Sequence, residues 1–181
     1  MGVRPRIAAL ALAAALGVLG CSTAKRQSGG DVTVDDGCSS GRLELRLVLE
    51  ADEVGAGAPT PTRIALVNCG EAAAVVNARL AMGYADSLDR EVYLELERDG
   101  AAYRGWTSWM LDYRRKPLDA NALRELAPRE QVGSEIDLQE WYRLEPGTYR
   151  VRAVYAPEAR DAAPALEPGP VASDWVSLRV R

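Results

Sequence analysis

The chain has 181 residues, 48% of them hydrophobic, with 22 basic and 26 acidic side chains and a net charge of −4. It contains no histidine, which excludes an HExxH zinc site, a Ser-His-Asp triad and a Cys-His dyad. The acidic balance makes nucleic acid a poor ligand. In chain order, the first element is an N-terminal leader. Arg4 and Arg6 form a basic start, and Ile7 to Leu19 is an apolar run. At about thirteen residues it is shorter than the roughly 18–20 needed to span a bilayer, so it reads as a secretory signal.

The run closes on Val18-Leu19-Gly20-Cys21. This resembles the lipobox of bacterial lipoproteins, with an aliphatic residue three places before the cysteine and a small one just before it. The resemblance implies cleavage of residues 1–20 as a signal peptide. The Cys21 thiol then carries a diacylglycerol, and its new amine is acylated, typically by palmitate. Several acyl chains hold a protein at the bilayer where one gives only marginal binding. An ordinary secretory signal with Cys21 incidental is the alternative. Gly2 does not mark myristoylation, because Arg6 stands where Ser or Thr is wanted. Ser22 after the cysteine, in place of Asp, points to a bacterial cell envelope and to its outer membrane.

Residues 21–41 contain almost no apolar side chain and read as a flexible tether. Without the leader the net charge falls to about −6, with no polybasic patch for anionic lipid. Residues 42–181 are enough for one domain with its own core. Cys38 and Cys69 remain once Cys21 is lipidated, and an oxidising compartment favours a disulfide between them. A metal site built on the two cysteines is the alternative.

The domain reads as strands of period two. Leu43 to Glu50 sets four leucines against a largely charged face, followed by Ile64 to Cys69 and Val75 to Met82. Glu91 to Glu97 alternates again and ends at Asp99-Gly100, a turn signal. Further strands fall within Tyr103 to Arg115, Val132 to Leu138, Gly147 to Tyr155 and Trp175 to Val180. One short helix is expected over Asp119 to Ala127, capped by Asp119 and stopped by Pro128. About 7–8 strands in such a length predict an all-β sandwich or barrel.

Pro146-Gly147-Thr148-Tyr149-Arg150-Val151 decides between them, because it resembles the tyrosine corner of Ig-like antiparallel β-sandwiches. That resemblance implies a structural Tyr149 whose phenol bonds back to the chain just upstream. Val151 stands where antibody domains place a cysteine, so the likeness is to the wider Ig-like class. The stretch from Leu126-Ala127-Pro128 through Ile136-Asp137-Leu138 to Tyr149 is also similar to the Ig-like accessory domain beside deuterolysin-type secreted metallopeptidases.

No phosphate loop or calcium loop stands out, and no catalytic residue or cofactor is expected. A carboxylate pair could hide among the 26 acids, but no pair is marked out. The candidate binding surface is Trp106, Trp109, Tyr113, Arg114 and Arg115, an aromatic plate beside a basic cluster. The competing reading has one tryptophan filling the core and the other covering it. Trp141-Tyr142 reads as structural. The chain is thus expected to be a non-enzymatic, lipid-anchored monomer that binds or supports another envelope protein and takes no metal or nucleic acid. The alternatives are a secreted-peptidase inhibitor, through a loop near residues 55–61, or a carbohydrate-binding module.

Overall fold

The computed structural model describes residues 37–39, 41–83, 85, 90–107, 122–157 and 170–181. In chain order the strands are β1 (Leu43–Leu49), β2 (Glu53–Val54), β3 (Pro61–Asn68), β4 (Ala74–Asn77), β5 (Met82–Gly83) and β6 (Val92–Arg98). They continue with β7 (Ala101–Ala102), β8 (Leu123–Leu126), β9 (Gln131–Asp137), β10 (Gly147–Tyr155), β11 (Val171–Ala172) and β12 (Val176–Val180). One helical turn, α1 (Leu138–Trp141), separates β9 from β10.

Alternation in the sequence sets the pairing. β1 turns Leu45 and Leu47 inward and pairs antiparallel with β3, from Leu43↔Asn68 to Leu49↔Thr62. β3 pairs on its other side with β9, giving a first sheet of order β1-β3-β9. The second sheet runs β2-β12-β10-β6-β5. Its centre is β10, antiparallel to both β6 and β12, with β11 and β7 as short additions. At Asp99-Gly100, with φ of 50° and 86°, β6 reverses into β7 as the turn signal predicts.

The core lies between the sheets. Ile64 and Leu66 of β3 share a buried cluster with Leu94 and Leu96 of β6, Tyr149 and Val151 of β10 and Leu178 of β12. The chain crosses from β3 to β6, back to β9, and again to β10. Its first strand is split, β1 pairing with β3 and β2 running parallel to β12. This is an Ig-like β-sandwich, antiparallel except where the short strands β2 and β5 run parallel to β12 and β6.

Three local expectations differ from what the structure shows. The helix expected over Asp119 to Ala127 does not run through Leu123–Leu126, which is strand β8. β8 pairs with β4 from Ala74↔Leu126 to Asn77↔Leu123, so its backbone bonds go to a neighbour rather than to its own next turn. Leu126 is buried beneath the ribbon, while Arg124 and Glu125 face outward. The only α-helix among the described residues is α1, which Asp137 caps by accepting from the Gln139 amide at 3.0 Å. The third strand also splits. β4 stops at Asn77, Leu80 takes a left-handed φ of 46°, and Met82 restarts as β5 in the other sheet. Within the expected Tyr103 to Arg115 strand, residues 103–107 form only an isolated bridge, Trp106↔Tyr142, and residues 108–115 lie outside the described ones.

Candidate functional site

β10 opens on Gly147, where a Cβ would stand 2.9 Å from Arg98 Nε. That arginine crosses the corner to pair with Glu145 at 2.7 Å and to donate to the Pro146 carbonyl at 2.8 Å. Tyr149 is fully buried, and its hydroxyl donates to the Glu145 carbonyl at 2.8 Å. Tyr103 packs edge-on against it, with ring centroids 5.2 Å apart. The geometry is that of a tyrosine corner, a scaffold device. Tyr149→Phe keeps the ring and leaves the Glu145 carbonyl without its donor. Chemical denaturation should register a loss of about 1–3 kcal/mol. Full stability in the Phe variant would contradict this role.

Burial also pushes the pKa of Tyr149, and that of Tyr155, up to about 12. In the unfolded chain a phenol ionises near pH 10. The stability these groups contribute is therefore complete below about pH 10 and is lost as pH rises through about 12. The urea midpoint should fall across that window. A midpoint that holds constant up to pH 12 would show that neither phenol resists ionisation.

Cys38 and Cys69 are joined as a disulfide, with Cα atoms 5.4 Å apart. Glu44 completes a Cys–Glu–Cys triad, yet Arg46 Nη2 stands 4.0 Å from both sulfurs. Sulfurs bonded to each other and faced by a guanidinium do not offer a cation site, so the metal alternative fails here. Cys21, Trp109, Tyr113, Arg114 and Arg115 lie outside the described residues. Trp106 is half-buried and packed on the core, its backbone bridged to Tyr142. Its neighbour Thr107 donates through Oγ1 to the Glu140 carbonyl at 2.7 Å. Trp141 and Tyr142 are buried, and the Tyr142 hydroxyl donates to the Leu94 carbonyl at 3.0 Å. Trp106 therefore belongs to the scaffold.

The loop near residues 55–61 is exposed from Gly55 to Gly57, but its backbone is already committed. The Ala56 amide donates to the Arg181 carbonyl at 2.9 Å and the Ala58 amide to the Gly55 carbonyl at 3.0 Å. The Thr60 amide donates to Asp137 Oδ1 at 2.9 Å. These bonds lay the segment along the sandwich edge and occupy donors that a substrate-like inhibitor loop needs free.

A polar cluster that alternation did not reveal sits at the start of β6. Glu91 shares the phase of the outward residues Tyr93, Glu95 and Glu97, yet it is 1% exposed. Arg79 clasps it through two nitrogens, one of them Nε at 3.1 Å. Asn77 Nδ2 donates to Glu91 Oε1 at 3.1 Å, and the Ala81 amide donates to Oε2 at 2.7 Å. The Asn77 amide in turn donates to the Tyr155 hydroxyl at 2.8 Å. Every acceptor site of the carboxylate faces a donor from the fold, which leaves none for a reacting substrate.

The outer face of the β12-β10-β6 sheet has a different character. Cross-strand pairs Arg150–Glu97 at 3.2 Å and Arg152–Glu95 at 2.5 Å run along it. Trp175, just before β12, takes both guanidiniums over its ring, at 4.8 Å and 4.6 Å from the centroid. Arg90 lies 4.3 Å over the Tyr93 ring at the same face. Arg150, Ser177 and Arg179 are exposed, and Arg179 makes no ion pair among the described residues. The signal for this surface was present in the outward phase of Arg150 and Arg152 and in the tryptophan preceding the last strand.

The fold and its surface thus define an Ig-like β-sandwich domain stabilised by a disulfide. The chain matches no protein-family model, and no curated protein matches it. It is similar to the CARDB domain of the PF1109 protein from Pyrococcus furiosus. The crystal structure of that domain, in complex with di-metal ions, gives a TM-score of 0.38 at 14% identity, covering 77% of this chain and 87% of that one. Its solution structure gives 0.36 at 15% identity, covering 78% and 97%. Both likenesses are distant.

Proposed function

We propose that this chain is a lipid-anchored, non-enzymatic envelope lipoprotein whose Ig-like domain binds or supports another envelope protein. The observation that carries the reading is the outer face of the β12-β10-β6 sheet. There arginine and tryptophan, the residue types in which interface energy concentrates, lie together on a rigid strand surface. Support against an enzyme comes from Glu91, a buried carboxylate whose oxygens are all engaged in holding the fold. The peptidase-inhibitor reading is disfavoured by the internally bonded amides of Ala56 and Ala58. A sugar platform at Trp106 is disfavoured by its packing against the core.

The anchor belongs to the same proposal. Cys21 after a short apolar leader supplies it, and the tether read over residues 21–41 gives the domain reach from the membrane. Cys21→Ser should leave an unprocessed precursor that carries no lipid label. A variant that matures at the same site and fractionates with the membrane as before would sink the lipoprotein reading. Crosslinking in intact envelopes then tests the binding half of the proposal.

A further inference from the structure

The outer face of the β12-β10-β6 sheet carries more information than its aptness for binding. Its charge is mixed but unequal. Arg90, Arg150, Arg152, Arg179 and Arg181 outnumber Glu53, Glu95 and Glu97, on a chain whose overall charge is negative. Two of the arginines are held in place twice, by a glutamate across the strand and by the Trp175 ring. Their guanidinium forks therefore lose little freedom when a further acceptor arrives. Arg179, exposed on the same face two residues beyond Ser177, still has its full donor set to offer.

We infer that this face docks an acidic surface of a partner protein, with Trp175 as its apolar anchor and Arg150 and Arg179 as its carboxylate receptors. The inference rests on the proposed binding function and specifies its surface. The interspersed glutamates decide the class of partner. A phosphate or polysaccharide polyanion would bring like charge against Glu53, Glu95 and Glu97, whereas a protein can set carboxylates opposite the arginines and something else opposite the acids. The charge asymmetry adds orientation. An acidic partner is attracted to this face and repelled by the remainder of the domain, so encounters are steered to one side.

The test uses the full-length protein in its own cells, with the photoreactive probe benzoylphenylalanine placed at Ser177. A control probe goes at Glu135, exposed on the outer face of the other sheet. The expected result is a discrete protein adduct at Ser177, its crosslinked peptide rich in Asp or Glu, and none at Glu135. Arg179→Glu should cut that adduct about tenfold or more, since it sets like charges together. It breaks no ion pair of the fold, and a thermal melt of the purified variant checks that the domain is intact. Trp175→Phe, which keeps an aromatic platform, should retain more adduct than Trp175→Ala. An adduct at Glu135 alone would overturn the inference and leave the binding function standing on another face. A self-adduct would make the occupant a second copy, and a carbohydrate adduct a glycan, each overturning it. An Arg179→Glu yield equal to the parent's would remove the electrostatic basis. No adduct at either position would count against the inference and the binding function together.

Discussion

Arg79→Met should lower the folding stability of the domain by about 3–5 kcal/mol, because it strands a buried charge. The side chain of Glu91 is 1% exposed, whereas that of Arg79 keeps 19% of its surface. The two halves of the pair are therefore not equivalent. Loss of the arginine leaves a carboxylate that water cannot reach, held only by Asn77 and the Ala81 amide. Glu91→Gln leaves a guanidinium that can still turn toward solvent, and it should cost less. The double variant Arg79→Met/Glu91→Gln should recover more than half of the single loss, since neither charge remains. Urea titrations of the four proteins measure all three terms. An Arg79→Met variant within about 1 kcal/mol of the parent would show that the pair is not a stability element.

Replacing both Cys38 and Cys69 by alanine should cost about 3–4 kcal/mol, the loop-closure value for residues 31 apart in sequence. The mechanism acts on the unfolded chain, which gains the conformations that the link forbids. The denaturant slope should rise accordingly as the unfolded state expands. The folded state should change little, because Leu43 and Asn68 at that end of β1 and β3 are already in register. Unchanged stability on reduction of the parent protein would contradict the entropic account.

What the sequence made readable, and what it hid, divides by the range of the interactions. β1, β6, β10 and β12 were legible because alternation is local: Tyr149, Val151 and Ala153 share a phase, and that phase is buried. The tyrosine corner was legible because donor and acceptor are four residues apart. β8 was not. Leu123–Leu126 has no strand pattern of its own and becomes a strand because Ala74–Asn77, remote in sequence, offers an open edge. Glu91 was hidden by its own phase. Alternation assigns it to solvent, and only Arg79, arriving across the β4–β5 segment, makes its burial possible. The candidate surface is half readable. Alternation against buried Tyr149, Val151 and Ala153 sets Arg150 and Arg152 outward, but their meeting with Trp175 depends on the β10–β12 register.

The position of the disulfide decides how the domain bears force. β1 is the outer strand of its sheet, and its first pair is Leu43↔Asn68. A pull on the chain before Cys38 would otherwise peel β1 away from that end, opening its hydrogen bonds one after another like a zipper. The covalent link to Cys69 intercepts the load before it reaches Leu43 and delivers it to the end of β3. That strand is bordered on both sides, by β1 and by β9, so tension there must shear two rows of bonds at once. A domain pulled through the chain before Cys38 therefore yields at its middle strand, the hardest place to start.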